Sequence, residues 1–158
     1  MREVFLVYMI EAYSLVKVAN TVPTCIKMEK ALARKDISTF IKLSNSMFAN
    51  IPSQIWDGTS EKYFHSLIHL LLNYMGIHVE SKINTSKGRL GAVIQTPHFI
   101  YILEFKFNKS AQIALDDIAS RNYTDKFLYP DKELICVGIN FSSSVKGIDA
   151  WLESKKEK

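Results

Sequence analysis

The chain has 158 residues, enough for one domain with a core of its own. Hydrophobic residues make up 47% and charged residues 23%, with only 6 Gly and 4 Pro, a balance that excludes a fibrous or disordered chain. The net charge of +4 is compatible with a nucleic-acid partner and does not require one.

The N-terminal run Val4-Phe5-Leu6-Val7-Tyr8-Met9-Ile10 is broken by Glu11, and no clear small-residue cleavage site follows, so it does not read as a secretion signal. The first third reads as helices. One covers about residues 2–19. A second starts near Pro23, a residue suited to a first helical turn, and runs to about Arg34. Asp36 is a good N-cap for a third, with Ile37, Phe40, Ile41, Met47 and Phe48 on a helical stripe. Asn50-Ile51-Pro52 stops it.

After a loop at Trp56-Asp57-Gly58, Ser60 can cap a fourth helix with Glu61 in its first turn, ending near Met75-Gly76. Glu61, His65, His69 and Asn73 recur every four residues and make a polar stripe on it. No third ligand accompanies His65 and His69, so the stripe does not read as a zinc site.

The period then changes to two. Ile77 to Ile83 reads as a strand, Thr85 to Gly88 as a turn and Leu90 to Gln95 as a second strand. After a turn at Pro97-His98, Ile100 to Phe107 reads as a third strand; the three form a meander. Residues 109–127 return to helix, Glu133 to Ile139 is a fourth strand, and Gly147 to Glu153 reads as a short closing helix. The expectation is a single α/β domain over residues 1–158, with a helical part over 1–58 and an α/β core over 59–158.

Cys25 and Cys136 sit far apart in apolar contexts and read as free buried thiols of a reducing compartment. The longest later apolar stretch, Leu67 to Met75, is too short to span a bilayer. A cytoplasmic protein with no membrane segment is expected.

The third strand carries the chemistry. Glu104 and Lys106 are two apart, so they share a face with Ile102, while Leu103, Phe105 and Phe107 share the other. Two charges inside an apolar strand are costly unless paired or used. An ordinary ion pair or a solvated edge is the plain explanation for an isolated Glu-x-Lys.

The order of elements around this strand resembles the core of the PD-(D/E)XK nuclease superfamily. It looks most like the nuclease module at the C-terminal end of bacterial AAA-ATPase-like proteins. The carrying phrases are Glu61-Lys62-Tyr63-Phe64-His65, Thr85 to Ile94, Ile100 to Lys106 and Val137-Gly138-Ile139-Asn140-Phe141, with Phe48-Ala49-Asn50-Ile51-Pro52 before them.

The resemblance implies a restriction-endonuclease-like mixed sheet flanked by helices, with a helical N-terminal third. It implies metal-dependent hydrolysis of phosphodiester bonds in DNA, with Mg²⁺ or Mn²⁺ as cofactor. It also implies an ATPase-like domain or protein as a partner. Glu104 is then a metal ligand, Lys106 the catalytic lysine and Glu61 an accessory carboxylate. His65, Arg89 and Lys87 are candidate contacts to phosphate.

Two positions depart from the pattern. The family's metal-binding Asp falls at Gly91, which has no side chain to ligate, and the usual Gln of the following helix is Asp117. Glu61 is a candidate replacement for the missing carboxylate; Gln95 shares the face of Gly91 by period but lies further along the strand. The alternative is a catalytically inactive module of the same fold that binds nucleic acid or protein.

Overall fold

The computed structural model describes residues 18–51, 61–75, 79–80, 84–85, 88–89, 91–120 and 124–155. Residues 2–17 of the helix expected over about 2–19, the loop at Trp56-Asp57-Gly58, the Ser60 cap, the Gly76 stop and Lys87 lie outside these residues.

Helix α1 spans Val18–Ala33 and starts ahead of Pro23, which sits in its second turn. It buries Cys25, Met28, Ala31 and Leu32, the spacing of one helical face. Its end is a Schellman stop: Lys35 takes a left-handed φ of 61°, Asp36 N–H bonds the Ala31 carbonyl at 2.8 Å, and Lys35 N–H bonds that of Leu32 at 3.3 Å. Asp36 then caps α2, Ile37–Ala49, as expected, accepting from Thr39 N–H at 2.9 Å. Helix α3 spans Glu61–Tyr74 and buries Phe64, Ile68, Leu71 and Leu72.

Seven strands follow among the described residues. They are β1 (Val79–Glu80), β2 (Asn84–Thr85), β3 (Gly88–Arg89), β4 (Ala92–Gln95), β5 (Phe99–Phe107), β6 (Glu133–Ser142) and β7 (Gly147–Lys155). β2 and β3 pair as a separate two-stranded ribbon; residues 86–87 of the expected Thr85–Gly88 turn lie outside the described residues. The main sheet runs β1-β4-β5-β6-β7. β5 and β6 are parallel and all other neighbours antiparallel, so the sheet is mixed, as expected. The parallel connection carries helix α4, Ala111–Ser120, and a 3₁₀ turn at Thr124–Phe127. Ser110 caps α4 by accepting from Ile113 N–H at 3.2 Å.

Alternation along β5 and β6 sorts their side chains onto two faces. Tyr101, Leu103, Phe105, Ile135, Val137, Ile139 and Phe141 join the larger core with α1, α2 and α3. Ile100, Ile102, Leu134 and Cys136 face the other way, packing with Ile118 of α4 and Phe127. Phe141 is the hub of the larger core. Its ring centroid lies 5.0 Å from that of Phe64 and 5.9 Å from those of Phe48 and Phe105. The Tyr101 hydroxyl, fully buried, ties β5 to α1 by donating to the Leu32 carbonyl at 2.5 Å, a second bond to an oxygen in the last turn of the helix. Burial, with the nearby Glu133 and Glu153 charges, pushes the pKa of this phenol well above its ordinary value.

The expected closing helix over Gly147 to Glu153 is corrected: these residues belong to β7, antiparallel to β6. Its apolar Ile148 and Trp151 are three apart, a spacing that a helix also shows. A bulge explains the spacing. Phe141 pairs with Ile148 and Asn140 with Ala150, so Asp149 is an extra residue, and Ile148 and Trp151 return to one face. Pairing β6 along this side also covers what would otherwise be an open sheet edge.

Candidate active site

The side chains on the α4 face of β5 are Ile100, Ile102, Glu104 and Lys106, in that order. The first two are core. The charged pair begins where the apolar packing of α4 ends. Glu104 is 4% exposed. Its neighbour in register on β6 is Gly138, and that of Lys106 is Asn140.

Gly138 decides how close α4 comes. A Cβ there would meet the Ala111 carbonyl oxygen, the Leu115 nitrogen at 2.8 Å and Leu115 Cγ at 3.0 Å. The helix backbone therefore lies directly on the sheet beside Glu104, an approach only glycine permits. Helix α4 buries Ala111, Ala114 and Ile118. Asp117 precedes Ile118 at the flank of this stripe, and the close packing carries it over Lys106.

The result is a three-membered charge cluster. Lys106 Nζ lies 3.2 Å from Glu104 Oε1 and 2.5 Å from Asp117 Oδ2. The side chains are 5% exposed at Glu104, 13% at Lys106 and 34% at Asp117, so the cluster runs from the sheet interior toward solvent. Burial pulls the Lys106 amine down. The hydrogen bond to Asp117 and the charge of Glu104 outweigh it and hold the pKa above its ordinary value. Lys106 is therefore an ammonium at neutral pH, able to donate hydrogen bonds and to offset negative charge.

Asn140, 3% exposed, braces the end of the site. It donates from Nδ2 to Asp149 Oδ1 at 2.8 Å and accepts from Lys109 N–H at 2.9 Å. It thereby fixes the loop between β5 and α4 against the bulge in β7.

Of the residues picked out from the sequence, Glu104 and Lys106 come together. Glu61 and His65 are on α3, whose buried side chains pack on the opposite face of the sheet from Glu104. Arg89 lies in β3, paired with Asn84. Gln95 pairs with Ile100, at the far end of β5 from Glu104. Gly91 lies just before β4, and a Cβ there would meet the Phe105 ring, with Cε2 at 2.7 Å, and the Leu103 carbonyl oxygen at 2.5 Å. Phe105 belongs to the larger core, so that direction leads away from Glu104.

Asp117 was visible in the sequence only as a departure, and Asn140 only as part of the phrase Val137-Gly138-Ile139-Asn140-Phe141. Gly138 marked a close approach only once its partner helix was known. Among the described residues, no three His, Cys, Asp or Glu side chains form a metal-holding group.

A mixed sheet with a helical crossover after a Glu-x-Lys strand defines a restriction-endonuclease-like α/β fold. The chain belongs to the PD-(D/E)XK nuclease superfamily, whose family model matches residues 59–151, from the start of α3 into β7. No curated protein and no solved structure matches it.

Proposed function

We propose that this chain hydrolyses phosphodiester bonds in DNA with the help of a divalent cation, Mg²⁺ or Mn²⁺. The observation that carries the reading is the Glu104–Lys106 pair. It is shielded from water on one face of β5, inside the segment matching a nuclease superfamily. The donors suit the cation. Carboxylate oxygens are the ligands that Mg²⁺ takes, and one or two of them suffice when substrate phosphate and water complete the shell. Glu104 holds it in this reading. Glu61, first residue of α3, is an accessory candidate, and Gly91 marks a carboxylate position left without a side chain.

When bound, the cation supplies Lewis-acid chemistry, making water more acidic and offsetting phosphate charge. Lys106 contributes its ammonium. It donates a hydrogen bond to a non-bridging phosphate oxygen, whose charge grows as water attacks phosphorus and the P–O bond to the leaving group breaks. His65, Arg89 and Lys87 are phosphate contacts in the same reading. A net charge of +4 favours a polyanion. An ATPase-like domain or protein is the proposed partner, and the buried thiols of Cys25 and Cys136 support a cytoplasmic setting.

A second reading is an inactive nucleic-acid- or protein-binding module of the same fold. The observation favouring it is Gly91, which cannot ligate and whose Cβ direction is closed by Phe105. The test is cleavage of double- and single-stranded DNA and of RNA with Mg²⁺ or Mn²⁺, using the unmodified chain and Lys106→Ala. Cutting of DNA by the first and not the second supports the enzyme. Absence of cutting on every substrate, together with retained nucleic-acid binding, supports the inactive module and sinks the enzyme.

A further inference from the structure

Gly91 leaves the strand beside β5 with no carboxylate to offer. A side chain added there runs into the Phe105 ring and the Leu103 carbonyl oxygen, 2.5 Å away, and not toward Glu104. A second carboxylate is nonetheless at the site, on another element. Asp117 Oδ2 lies 2.5 Å and Glu104 Oε1 3.2 Å from the same Lys106 Nζ. The two carboxylates thus share one cationic partner on this face of β5.

The arrangement is held by the fold. Asp117 sits on α4, whose backbone Gly138 admits to the sheet next to Glu104. The two carboxylates also differ in exposure, 5% for Glu104 and 34% for Asp117. One anchors from the sheet interior while the other closes the site from the open side. With Lys106 the three side chains sum to one negative charge, the sign a divalent cation needs. Hard oxygen donors of this number suit Mg²⁺ or Mn²⁺ and not a softer metal.

We propose that Asp117 is the second carboxylate ligand of the divalent cation, carried by helix α4 in place of one on the strand. This rests on the metal-dependent reading above. It accounts together for Gly91 and for the Gln-to-Asp departure at position 117: the strand has lost a carboxylate and the facing helix has gained one.

The test is calorimetric titration of the full chain with MnCl₂, for the unmodified protein, Asp117→Asn and Asp117→Glu, with thermal melting of each in the absence of metal. The unmodified chain binds Mn²⁺. Asp117→Asn melts near the unmodified temperature but binds at least about ten-fold more weakly, since even changes beyond the ligand shell cost that much. Asp117→Glu keeps most of the affinity. If Asp117→Asn does not fold, Asp117→Ser replaces it. Equal Mn²⁺ affinity in the Asn or Ser variant overturns the role of Asp117 and leaves the metal reading standing. An unmodified chain that binds no Mn²⁺ overturns the metal reading and this proposal with it.

Discussion

At the scale of single residues, the informative feature is an ammonium held between two carboxylates. Lys106 lies within hydrogen-bonding distance of Glu104 and Asp117, and only Asp117 is substantially open to water. Removing one member of a buried pair strands the other, at a cost of about 3–5 kcal/mol, whereas replacing both with uncharged groups is close to neutral. Lys106→Met is therefore expected to lower stability by about that amount in urea denaturation. The double variant Glu104→Gln/Lys106→Met is expected to recover most of it while remaining inactive. Equal stability losses in the single and double variants would show that the pair is not coupled. The raised pKa of Lys106 gives this contribution a definite pH range. It is fully present below the unfolded value of about 10.5 and is lost only as pH rises through the higher folded value, so it is constant across neutral pH.

Elements set how these residues meet. The strand and its two charges are legible in the sequence because a period of two is a local property. Asp117 was not legible as a site residue, because its distance from Lys106 depends on how closely α4 packs. That closeness comes from Gly138, where a Cβ would sit 2.8 Å from the Leu115 nitrogen. Backbone atoms cannot turn aside as a side chain can. Gly138→Ala is expected to lift α4 from the sheet and destabilise the fold by about 1–3 kcal/mol, the range for overpacking. It should also weaken Mn²⁺ binding, because Asp117 moves with the helix. A thermal melt and a Mn²⁺ titration check both; an unchanged melting temperature would mean that α4 does not rest on Gly138.

The same limit explains β7. Its Ile148 and Trp151 spacing imitates a helix because a bulge at Asp149 inserts one residue into a strand. A bulge is defined by the partner strand, so the pattern of one segment could not reveal it.

Across the whole molecule, Glu133 at the start of β6 joins distant parts of the chain. Its carboxylate lies 2.7 Å from Lys35, at the end of α1, and 3.5 Å from Lys155, at the end of β7. The Lys35 hydrogen bond, with the charges of both lysines, holds the Glu133 pKa below its ordinary value against the opposing effect of burial. A depressed carboxylate stabilises the fold above its unfolded pKa, about 4.3, and that stability is lost as pH falls through the lower folded value. Glu133→Gln is expected to flatten the acid limb of stability below about pH 4.3 and to lower stability modestly at neutral pH. Acid titration followed by circular dichroism reads this. Identical acid limbs in the two proteins would remove Glu133 from the account.

The larger core is shared between α2, α3 and the sheet, through Phe48, Phe64 and Phe141. No helix among the described residues is long and apolar enough to cross a membrane.

The sequence by itself determined the α/β class, the Asp36 helix cap, and the strand that sets Glu104 and Lys106 on one face. Each of these follows from spacing along the chain and from the chemistry of neighbouring residues. Tertiary structure alone decided that Asp117 meets Lys106, that Gly91 looks toward Phe105, and that the last segment is a bulged strand. The physical reason is common to all three. They depend on which backbone surfaces come into contact, and packing distances between elements far apart in sequence leave no periodic trace in either one.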